Sequence, residues 1–281
     1  MLKILIPTDL SENALKATHY ATELFKHGPA HIFLLHAYAD EVYDLVNQKQ
    51  DSEFETVKRE IFIQTDAALK MLQKEIFVLS PNPKHTVECC PEFSSLVDAV
   101  NDWVERENID LVIMGTKGKT ADKKLTFGSN TLQVIKYVKC PVLAVPESQD
   151  LDYPENIVFA TDFQLPYKRR ELKLLSNIGK RFGARIHFLY VSKHKNLSLR
   201  QKDNKVFIEA VLRENHTYFH HIEEDDITQG INTFIEKNNP DMLVMVNRRH
   251  SYLENILYQS TIEKIGLNIK IPFLVLQNLP R

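Results

Sequence analysis

The sequence predicts an α/β protein built as two tandem domains, each a five-stranded parallel sheet with helices on both faces. Two observations lead to this class. Short apolar segments such as LVIM and VLAV alternate with stretches of helical periodicity, and such segments are typical of strands buried on both faces. The same landmarks also occur twice along the chain, in the same order. Alternating strands and helices favour parallel strands joined by right-handed crossovers.

The internal repeat consists of four pairs of similar segments. KILIPTDLS resembles NIVFATDFQ, GPAHIFLLHAY resembles GARIHFLYVS, IDLVIMGTKG resembles PDMLVMVNRR, and CPVLAVP resembles IPFLVLQ. The last two pairs share an offset of 131 residues and the Thr-Asp pairs an offset of 153, so the second copy is shorter by 22 residues in its middle. We therefore expect domains at 1–147 and 154–281, joined by a short polar linker.

The elements of the first copy follow in order from these patterns. Apolar segments predict strands at 2–6, 31–37, 85–90, 110–114 and 142–145. Helical periodicity between them predicts helices at 11–27, 52–78, 93–107 and 129–139. Ser11 is the expected N-cap of the first helix, because a serine oxygen can accept a bond from the first turn. The acidic stretch 38–51 is expected either as a lid over a ligand or as a surface loop.

Composition and charge exclude several classes of protein. A net charge of −2 argues against a nucleic-acid partner held by bulk electrostatics, and no apolar run reaches the roughly 18 residues of a membrane span. The first apolar segment is too short for a signal-peptide core and is expected to be a strand. The three cysteines lack metal-ligand spacing and are expected to be reduced packing residues of a cytoplasmic protein.

Three of the eight glycines fall within one segment, GTKGKTADKKLTFGS. It runs from a predicted strand end to a predicted helix start, where unpaired N–H groups and the helix dipole can hold an anion. Glycine permits a positive φ or a close approach to a ligand. We therefore expect Gly115 and Gly118 to bring N–H groups to a phosphate and Gly128 to allow a tight turn. The nearby lysines are expected mainly as a solvated loop, with Lys117 the best placed for a ligand: Lys117, Lys119, Lys123 and Lys124.

The glycine spacing, Gly-x2-Gly-x9-Gly-Ser, fits neither a Walker A loop nor GxGxxG. In this position it resembles the ATP-binding members of the universal stress protein family, which carry G-x2-G-x9-G-(S/T) between the fourth strand and the fourth helix. PTD, LLHAY, DLVIMGTKG and CPVLAVP support the resemblance, which covers essentially the whole chain. It implies two tandem flavodoxin-like, or Rossmann-like, domains that pack as an intrachain pseudo-dimer.

The resemblance also implies an ATP site in the first copy. Pro7, Thr8 and Asp9 would lie near the ribose and a Mg²⁺ ion, with Asp9 as the metal ligand. The backbone of Ala37 would meet the adenine. The other implied residues would surround the ribose and the phosphates: Met114, Gly115, Gly118, Gly128, Ser129 and Asn130. From the residues alone, Asp9 has an alternative role as a helix cap, for which Ser11 competes.

The second copy departs from the glycine pattern. At the offset of 131 residues the three glycines become Val246, Arg249 and Gln259, and only Ser129 keeps its type, as Ser260. A β-branched valine resists a positive φ, so the second copy is expected not to bind ATP in this way. Its segment NRRHS is expected to be a solvated basic loop, with a site for a different anion as the alternative.

Three functions remain open from the sequence. The first is a stress-related regulatory protein that binds ATP in its first copy and is recognised by an unidentified protein partner. The second is an enzyme, at most a slow ATPase, because no residue resembles a tuned general base at the phosphate end. The third is a nucleotide-independent scaffold that acts through dimerisation, including a homodimer.

His31 and His36 are expected to be hydrogen-bonded structural histidines.

Overall fold

The computed structural model describes residues 1–48, 53–118, 127–148, 153–164, 167–247 and 269–278. These residues form two compact units, the first ending at Glu147 and the second beginning at Ser148. Each unit contains a parallel five-stranded sheet with helices between its strands, so the predicted fold class is confirmed. Among the described helices, none combines the length and the apolar character that a membrane crossing requires.

The first unit has the strand order β3-β2-β1-β4-β5. Its strands are Leu2–Pro7 (β1), Ala30–Ala37 (β2), His85–Glu92 (β3), Leu111–Gly115 (β4) and Val142–Val145 (β5). Its helices are Glu12–Leu24 (α1), Ala39–Gln48 (α2), Phe54–Leu79 (α3), Leu96–Glu107 (α4) and Ser129–Tyr137 (α5). The chain adds β2 and β3 on one side of β1 and then returns to place β4 on the other side. Ligand clefts in such sheets lie at this reversal, beyond the carboxyl ends of the strands.

Local sequence explains where the first elements begin and end. β1 and β4 form the centre of the sheet because their residues are almost all apolar and buried, including Ile4, Leu5 and Ile6. Ser11 caps α1 as predicted, since its Oγ accepts a hydrogen bond from the backbone N–H of Ala14 at 3.2 Å.

The acidic stretch after β2 is largely helical, so the surface-loop alternative for 38–51 is wrong for most of it, and the lid alternative stays a prediction. Residues of this stretch form α2, whose first turn carries Asp40 and Glu41, where negative charge complements the helix dipole. Val42 is fully buried and packs against α3. Burial of this apolar side decides the conformation of a segment that composition alone marked as polar. The first four residues of the connection between α2 and α3, 49–52, lie outside the described residues.

The second unit repeats the same topology, with the strand order β8-β7-β6-β9-β10. Its strands are Asn156–Ala160 (β6), Arg185–Val191 (β7), His216–Ile222 (β8), Met242–Asn247 (β9) and Phe273–Gln277 (β10). Its described helices are Arg169–Phe182 (α6), Leu199–Val211 (α7) and Ile227–Asn238 (α8). A single helix, α7, connects β7 to β8, where the first unit uses α2 and α3 between β2 and β3.

The two units also share the same unusual backbone conformations at matching positions. Leu10 and Phe163 both have a positive φ, of 61° and 56°, directly after the two Thr-Asp pairs. Asn108 and Asn239, which end α4 and α8, also match, with φ of 53° and 43°. Left-handed backbone is uncommon for residues other than glycine, and for leucine and phenylalanine it is costly. The same turn geometry is therefore built into both copies.

Candidate functional site

A cleft opens in the first unit where the strand order reverses. Its volume is about 300 Å³, at the lower end of the range for small-molecule sites. Eight of the ten residues predicted to bind the ligand line it: Pro7, Thr8, Asp9, Ala37, Met114, Gly115, Gly118 and Asn130. Lys117 lines it too, together with six residues that the sequence had not assigned to a ligand: Ala14, His36, Asp40, Glu41, Leu96 and Thr131.

The Thr-Asp pair builds the turn between β1 and α1. Thr8 Oγ1 accepts a hydrogen bond from the backbone N–H of Leu10 at 3.0 Å, and Asp9 Oδ1 accepts one from Ser11 at 3.0 Å. These local bonds stabilise the left-handed residue between them. Because Ser11 itself caps α1, Asp9 is a turn residue and the helix-cap alternative is wrong. The other carboxylate oxygen of Asp9, Oδ2, faces the glycine loop.

Gly115 is required by close packing. Its φ is not positive, so the positive φ that the comparison with Val246 assumed is absent here. A Cβ built at Gly115 would instead lie 2.8 Å from both Cγ and Nδ2 of Asn13, well inside van der Waals contact. Asn13 projects from α1, is 5% exposed, and donates from Nδ2 to the carbonyl oxygen of Lys117 at 3.1 Å and to Thr116 Oγ1 at 3.5 Å. Gly115 therefore makes room for the side chain that fastens the glycine loop to α1.

Asn13 is a residue that the sequence analysis missed. Its neighbour in sequence, Ser11, carried the recognisable capping signal, whereas Asn13 looked like one more polar residue of an amphipathic helix. Its Oδ1 is buried and has no hydrogen-bond partner in the described part of the chain. Such a buried acceptor is unfavourable, so the two bonds from Nδ2 have to outweigh its desolvation.

Gly118 is also required by close packing, here against the charged side chain of Asp9. A Cβ at Gly118 would lie 2.7 Å from Oδ2 of Asp9, and the backbone of Gly118 is not left-handed either. A side chain at this position would press on the Asp9 carboxylate. The loop and the strand end therefore approach each other directly, and Gly118 itself remains exposed at the mouth of the cleft.

The N-terminus of α5 closes the other side of the loop. Gly128 is the N-cap, with an ordinary φ of −71°, and its own N–H donates to the carbonyl oxygen of Thr116 at 2.8 Å. This bond explains why Gly128 does not line the cleft. Ser129 is exposed and makes no capping bond, whereas Asn130 and Thr131 face the cleft, and Thr131 Oγ1 donates to the Gly115 carbonyl oxygen at 2.9 Å. The first turn of α5 thus lacks a side-chain cap and leaves backbone N–H groups for an anion.

Ala37 is exposed to the cleft because β2 runs two residues beyond the end of β1. Pro7, the last residue of β1, is in register with Leu35, whose carbonyl oxygen accepts a bond from Thr8 N at 2.8 Å. Residues two apart in a strand direct their backbone groups to the same side. The N–H and C=O of Ala37 therefore point past the end of β1, into the cleft.

His36 links this edge of the cleft to α2. It is buried, and its Nδ1 lies 2.8 Å from the Thr8 carbonyl oxygen while Nε2 lies 2.9 Å from Glu41 Oε1. Both ring nitrogens therefore lie within hydrogen-bond distance of an oxygen, one directly after β1 and one on α2. The expected structural histidine is thus present, and it also orients a carboxylate at the rim. His31 lies away from the cleft and pairs with Glu88 at 3.3 Å.

Carboxylates dominate the charge of the lining. The lining contains the carboxylates of Asp9, Asp40 and Glu41, together with Lys117 and the His36 ring. The other three lysines of the predicted basic loop, at 119, 123 and 124, lie outside the described residues. Within the described part of the chain, no group of three or more histidine, cysteine, aspartate or glutamate side chains is arranged to hold a metal ion by itself.

The second unit keeps the turn and fills the space beside it. Thr161 Oγ1 accepts from the N–H of Phe163 at 3.1 Å, and Asp162 Oδ1 accepts from that of Gln164 at 2.9 Å, as in the first unit. Here, however, the hydroxyl of Tyr167 hydrogen-bonds to Thr161 Oγ1, and its ring is buried against the sheet. Burial raises the pKa of the Asp162 carboxyl, which disfavours a charged ligand-binding form.

An insertion explains this filling. The buried positions of α1 and α6 coincide when Asn13 is matched with Glu171, which is an offset of 158 residues. Asp9 and Asp162 are matched at an offset of 153 residues, so the second copy has five more residues between the Thr-Asp pair and the helix. The extra residues bring Tyr167 against Thr161. Glu171 takes the place of Asn13 and accepts a hydrogen bond from the backbone N–H of Gln277 at 3.2 Å.

The glycine loop has no described counterpart in the second unit. Val246, at the Gly115 position, is buried in β9, and the following Asn247 donates from Nδ2 to Oε1 of Gln277 at 3.0 Å. Arg249, Gln259 and Ser260 lie outside the described residues, as does the rest of the NRRHS segment after Asn247.

Fold and cleft together define a tandem α/β protein of the flavodoxin-like type, with a ligand-sized cleft at the strand-order reversal of its first unit. The model of the Universal stress protein family matches residues 1–146 and again residues 154–277. The chain therefore belongs to the universal stress protein family, as the sequence resemblance predicted, and carries two of its domains in tandem.

Known relatives agree with this assignment. Universal stress proteins MJ0531 and MJ0577 of Methanocaldococcus jannaschii are 30% identical over 145 residues and 28% identical over 155 residues. Each match covers 51% of this chain, and 81% and 93% of the two relatives. A universal stress protein from Archaeoglobus fulgidus has a similar structure, with a TM-score of 0.71 at 20% identity, over 98% of this chain and 96% of its own. That structure shares the fold along both units.

Proposed function

We propose that the first unit is a stress-related regulatory domain whose cleft binds ATP, with Mg²⁺ between the phosphates and Asp9. The observation that carries the proposal is the convergence on one cleft of Asp9, the close-packed glycines 115 and 118, and the first turn of α5. Glycine loops at a helix N-terminus suit phosphate, because small residues let backbone N–H groups reach the oxygens.

The cleft suggests one orientation for the nucleotide. The backbone of Ala37 offers one N–H and one C=O in line, which matches the paired donor and acceptor of an adenine edge. Asp9 lies between this edge and the glycine loop, where a carboxylate can accept from ribose hydroxyls or bind a cation. The phosphates would then lie against Gly118 and Asn130, with Lys117 beside them.

The acidic lining makes a cation part of the proposal. Three carboxylates face the cleft, and ATP would bring further negative charge to the same space. Mg²⁺ is typically bound through one or two carboxylates together with the phosphates of its nucleotide. Asp9 is the carboxylate that fits this role, because it lines the cleft where the glycine loop comes closest to the end of β1. When bound, Mg²⁺ would neutralise charge and orient the phosphates.

Regulation by the bound state fits the cleft better than rapid turnover does. Asp9 is held in a turn, and His36 is engaged through both ring nitrogens, so neither is placed as a free general base. The second unit, with Tyr167 beside Thr161, is proposed not to bind ATP in this way. A protein partner would recognise the nucleotide-bound first unit.

The test begins with the purified full chain. Any small molecule released on denaturation is identified by mass spectrometry, and ATP is then titrated into the emptied protein with and without Mg²⁺ by calorimetry. We expect micromolar binding that weakens about tenfold or more in Asp9→Asn, which corresponds to about 1.4 kcal/mol. Binding should be lost in Gly115→Val/Gly118→Arg, which imitates the second copy.

Asp162→Asn is the matched control. It changes the same residue of the same turn, and asparagine can still accept the bond from Gln164, so the affinity for ATP should not change. Equal affinity in the wild type and in the Gly115→Val/Gly118→Arg variant would refute the proposed site. No released nucleotide and no binding in the wild type would favour the nucleotide-independent scaffold.

A further inference from the structure

Helix α3 is the largest difference in secondary structure between the first unit and the second. It has 26 residues and lies, with α2, where the second unit has only the 13 residues of α7. One face of α3 is buried against the sheet and α2, through residues at helical spacing: Val57, Ile61, Thr65, Leu69, Leu72 and Ile76. This face accounts for the fold of the helix and leaves its opposite face to solvent.

The opposite face of α3 is also apolar. Ile63 is 57% exposed, Met71 is 72% exposed and Val78 is 77% exposed, and Ala67 lies exposed between the first two. Ile63, Ala67 and Met71 follow one another at four-residue steps, and Val78 lies seven residues, or about two turns, beyond Met71, so the four side chains share one stripe. A surface helix normally carries polar residues on this side, and a contiguous exposed apolar stripe indicates an interaction surface.

Two charged residues lie on the same stripe. Glu60 precedes Ile63 by three residues, and Lys74 follows Met71 by three. Both are exposed, and neither forms an ion pair within the described residues. They lie about 21 Å apart along the helix, at 1.5 Å per residue, so they cannot pair with each other in one chain.

The stripe is complementary to itself about Ala67. Ile63 and Met71 lie four residues before and after Ala67, and Glu60 and Lys74 lie seven residues before and after it. A two-fold axis at Ala67 would therefore place Ile63 against Met71 of a second copy, and Glu60 against its Lys74. We propose that α3 is a self-association surface, on which α3 of a second copy of this chain packs antiparallel with Ala67 at the centre.

Charge selects this arrangement over the parallel one. In a parallel pair each Glu60 would face Glu60 of the second copy, and each Lys74 would face Lys74, and like charges at such positions are repulsive. The antiparallel pair converts both contacts into opposite-charge pairs. The small side chain of Ala67 lets the two helices approach closely at the axis.

The size of the stripe sets the strength of the association. A helix of 26 residues is about 39 Å long and about 10 Å wide, so two such helices cover roughly 800 Å² in total. Stable dimers usually bury at least about 1,200 Å². The pairing is therefore weak and reversible, and it should depend on protein concentration across the micromolar to near-millimolar range.

Sedimentation velocity of the full chain tests the proposal through charge reversal. Glu60→Lys and Lys74→Glu should each weaken self-association about tenfold, because both ion pairs of the dimer change from attraction to repulsion. The double variant Glu60→Lys/Lys74→Glu should associate as the wild type does. An equal mixture of the two single variants should also associate, because each supplies the charge that the other lacks.

The matched control is Glu105→Lys, which reverses an exposed charge on α4 and should leave association unchanged. A second test replaces Ala67 with cysteine in a Cys89→Ser background, and mild oxidation should then cross-link two chains. A monomeric wild type at every concentration would overturn the proposal. So would an association that is insensitive to both single reversals, since another surface or another partner would then be involved.

Discussion

Asn13 and Gly115 should be energetically coupled, and this coupling tests how the glycine loop is held. In Gly115→Ala the new Cβ would lie 2.8 Å from Cγ and Nδ2 of Asn13, about 0.6 Å inside the shortest ordinary contact of 3.4 Å. Rotation of the Asn13 side chain cannot relieve the clash fully, because its backbone carbon is also only 3.1 Å from the same Cβ. Overpacking of this kind costs about 1–3 kcal/mol.

The second variant of the cycle removes the clashing side chain. Asn13→Ala loses the bonds to Thr116 and to the Lys117 carbonyl oxygen but also removes a buried unpartnered oxygen, so we expect a cost of about 1 kcal/mol. In the double variant the clash is largely relieved. The combined cost should therefore fall short of the sum by about 1 kcal/mol or more, which is a measurable coupling energy.

The assay is urea unfolding followed by fluorescence. Trp103 is the single tryptophan and lies in α4 of the first unit, so its emission reports on the unit that carries both substitutions. The control replaces Asn13→Ala with Glu12→Ala, because Glu12 is exposed and lies beside Asn13 in sequence. The free-energy costs of Glu12→Ala and Gly115→Ala should add. Additivity of Asn13→Ala and Gly115→Ala within about 0.5 kcal/mol would refute the packing account.

Three further predictions concern buried groups. Burial lowers the pKa of His187 and of His220, whose ring nitrogens lie 2.9 Å apart. The folded chain therefore binds fewer protons than the unfolded chain, and its thermal stability should fall as the pH drops below about 6.5. The substitution His220→Gln should reduce this pH dependence, as measured by thermal unfolding followed by circular dichroism. Burial raises the pKa of the Cys90 thiol, which should react with iodoacetamide at pH 8 far more slowly in the native than in the denatured chain, by mass spectrometry. Tyr167→Phe should lower the hydrogen-exchange protection of β6 by about 1 kcal/mol, because Thr161 loses a buried partner.

Each of these predictions has a distinct contrary result. An unchanged melting temperature between pH 7.5 and 5.5 would refute the histidine argument, and His216→Gln, on an exposed residue of the same strand, should leave the dependence as it was. Equal labelling rates in native and denatured protein would refute the burial of Cys90. Undiminished exchange protection of β6 in Tyr167→Phe would show that the Thr161 hydroxyl contributes nothing through this bond.

Much of the fold could be predicted because the signals were local and repeated. Apolar segments marked every strand of the first copy to within a few residues, since a strand buried on both faces has little freedom in composition. Ser11 was identifiable as a cap because the capping bond joins residues three apart. The stretch 38–51 was not identified as a helix, because α2 is stabilised by packing of Val42 against α3, which no local pattern reports.

The candidate site shows the same division. The glycine cluster at a strand end and helix start predicted a phosphate loop, and the family resemblance implied ten site residues, eight of which line the cleft. The sequence predicted that Gly115 and Gly118 let the backbone approach a phosphate, and it did not reveal that neighbouring side chains also leave no room for a Cβ at either position. Those neighbours, Asn13 and Asp9, are more than 100 residues away along the chain.

By itself, then, the sequence determined the α/β class and the tandem repeat, which depend on short-range periodicity and on similarity between segments of one chain, and the family, which depends on the resemblance of its motifs to a known pattern. Only the tertiary structure decided that Asn13 fastens the glycine loop, that Tyr167 fills the matching space in the second unit, and that α3 presents a second apolar face. These features depend on which side chains meet across elements distant in sequence. Such meetings are set by how helices pack onto a sheet, and the order of residues along one element does not encode them.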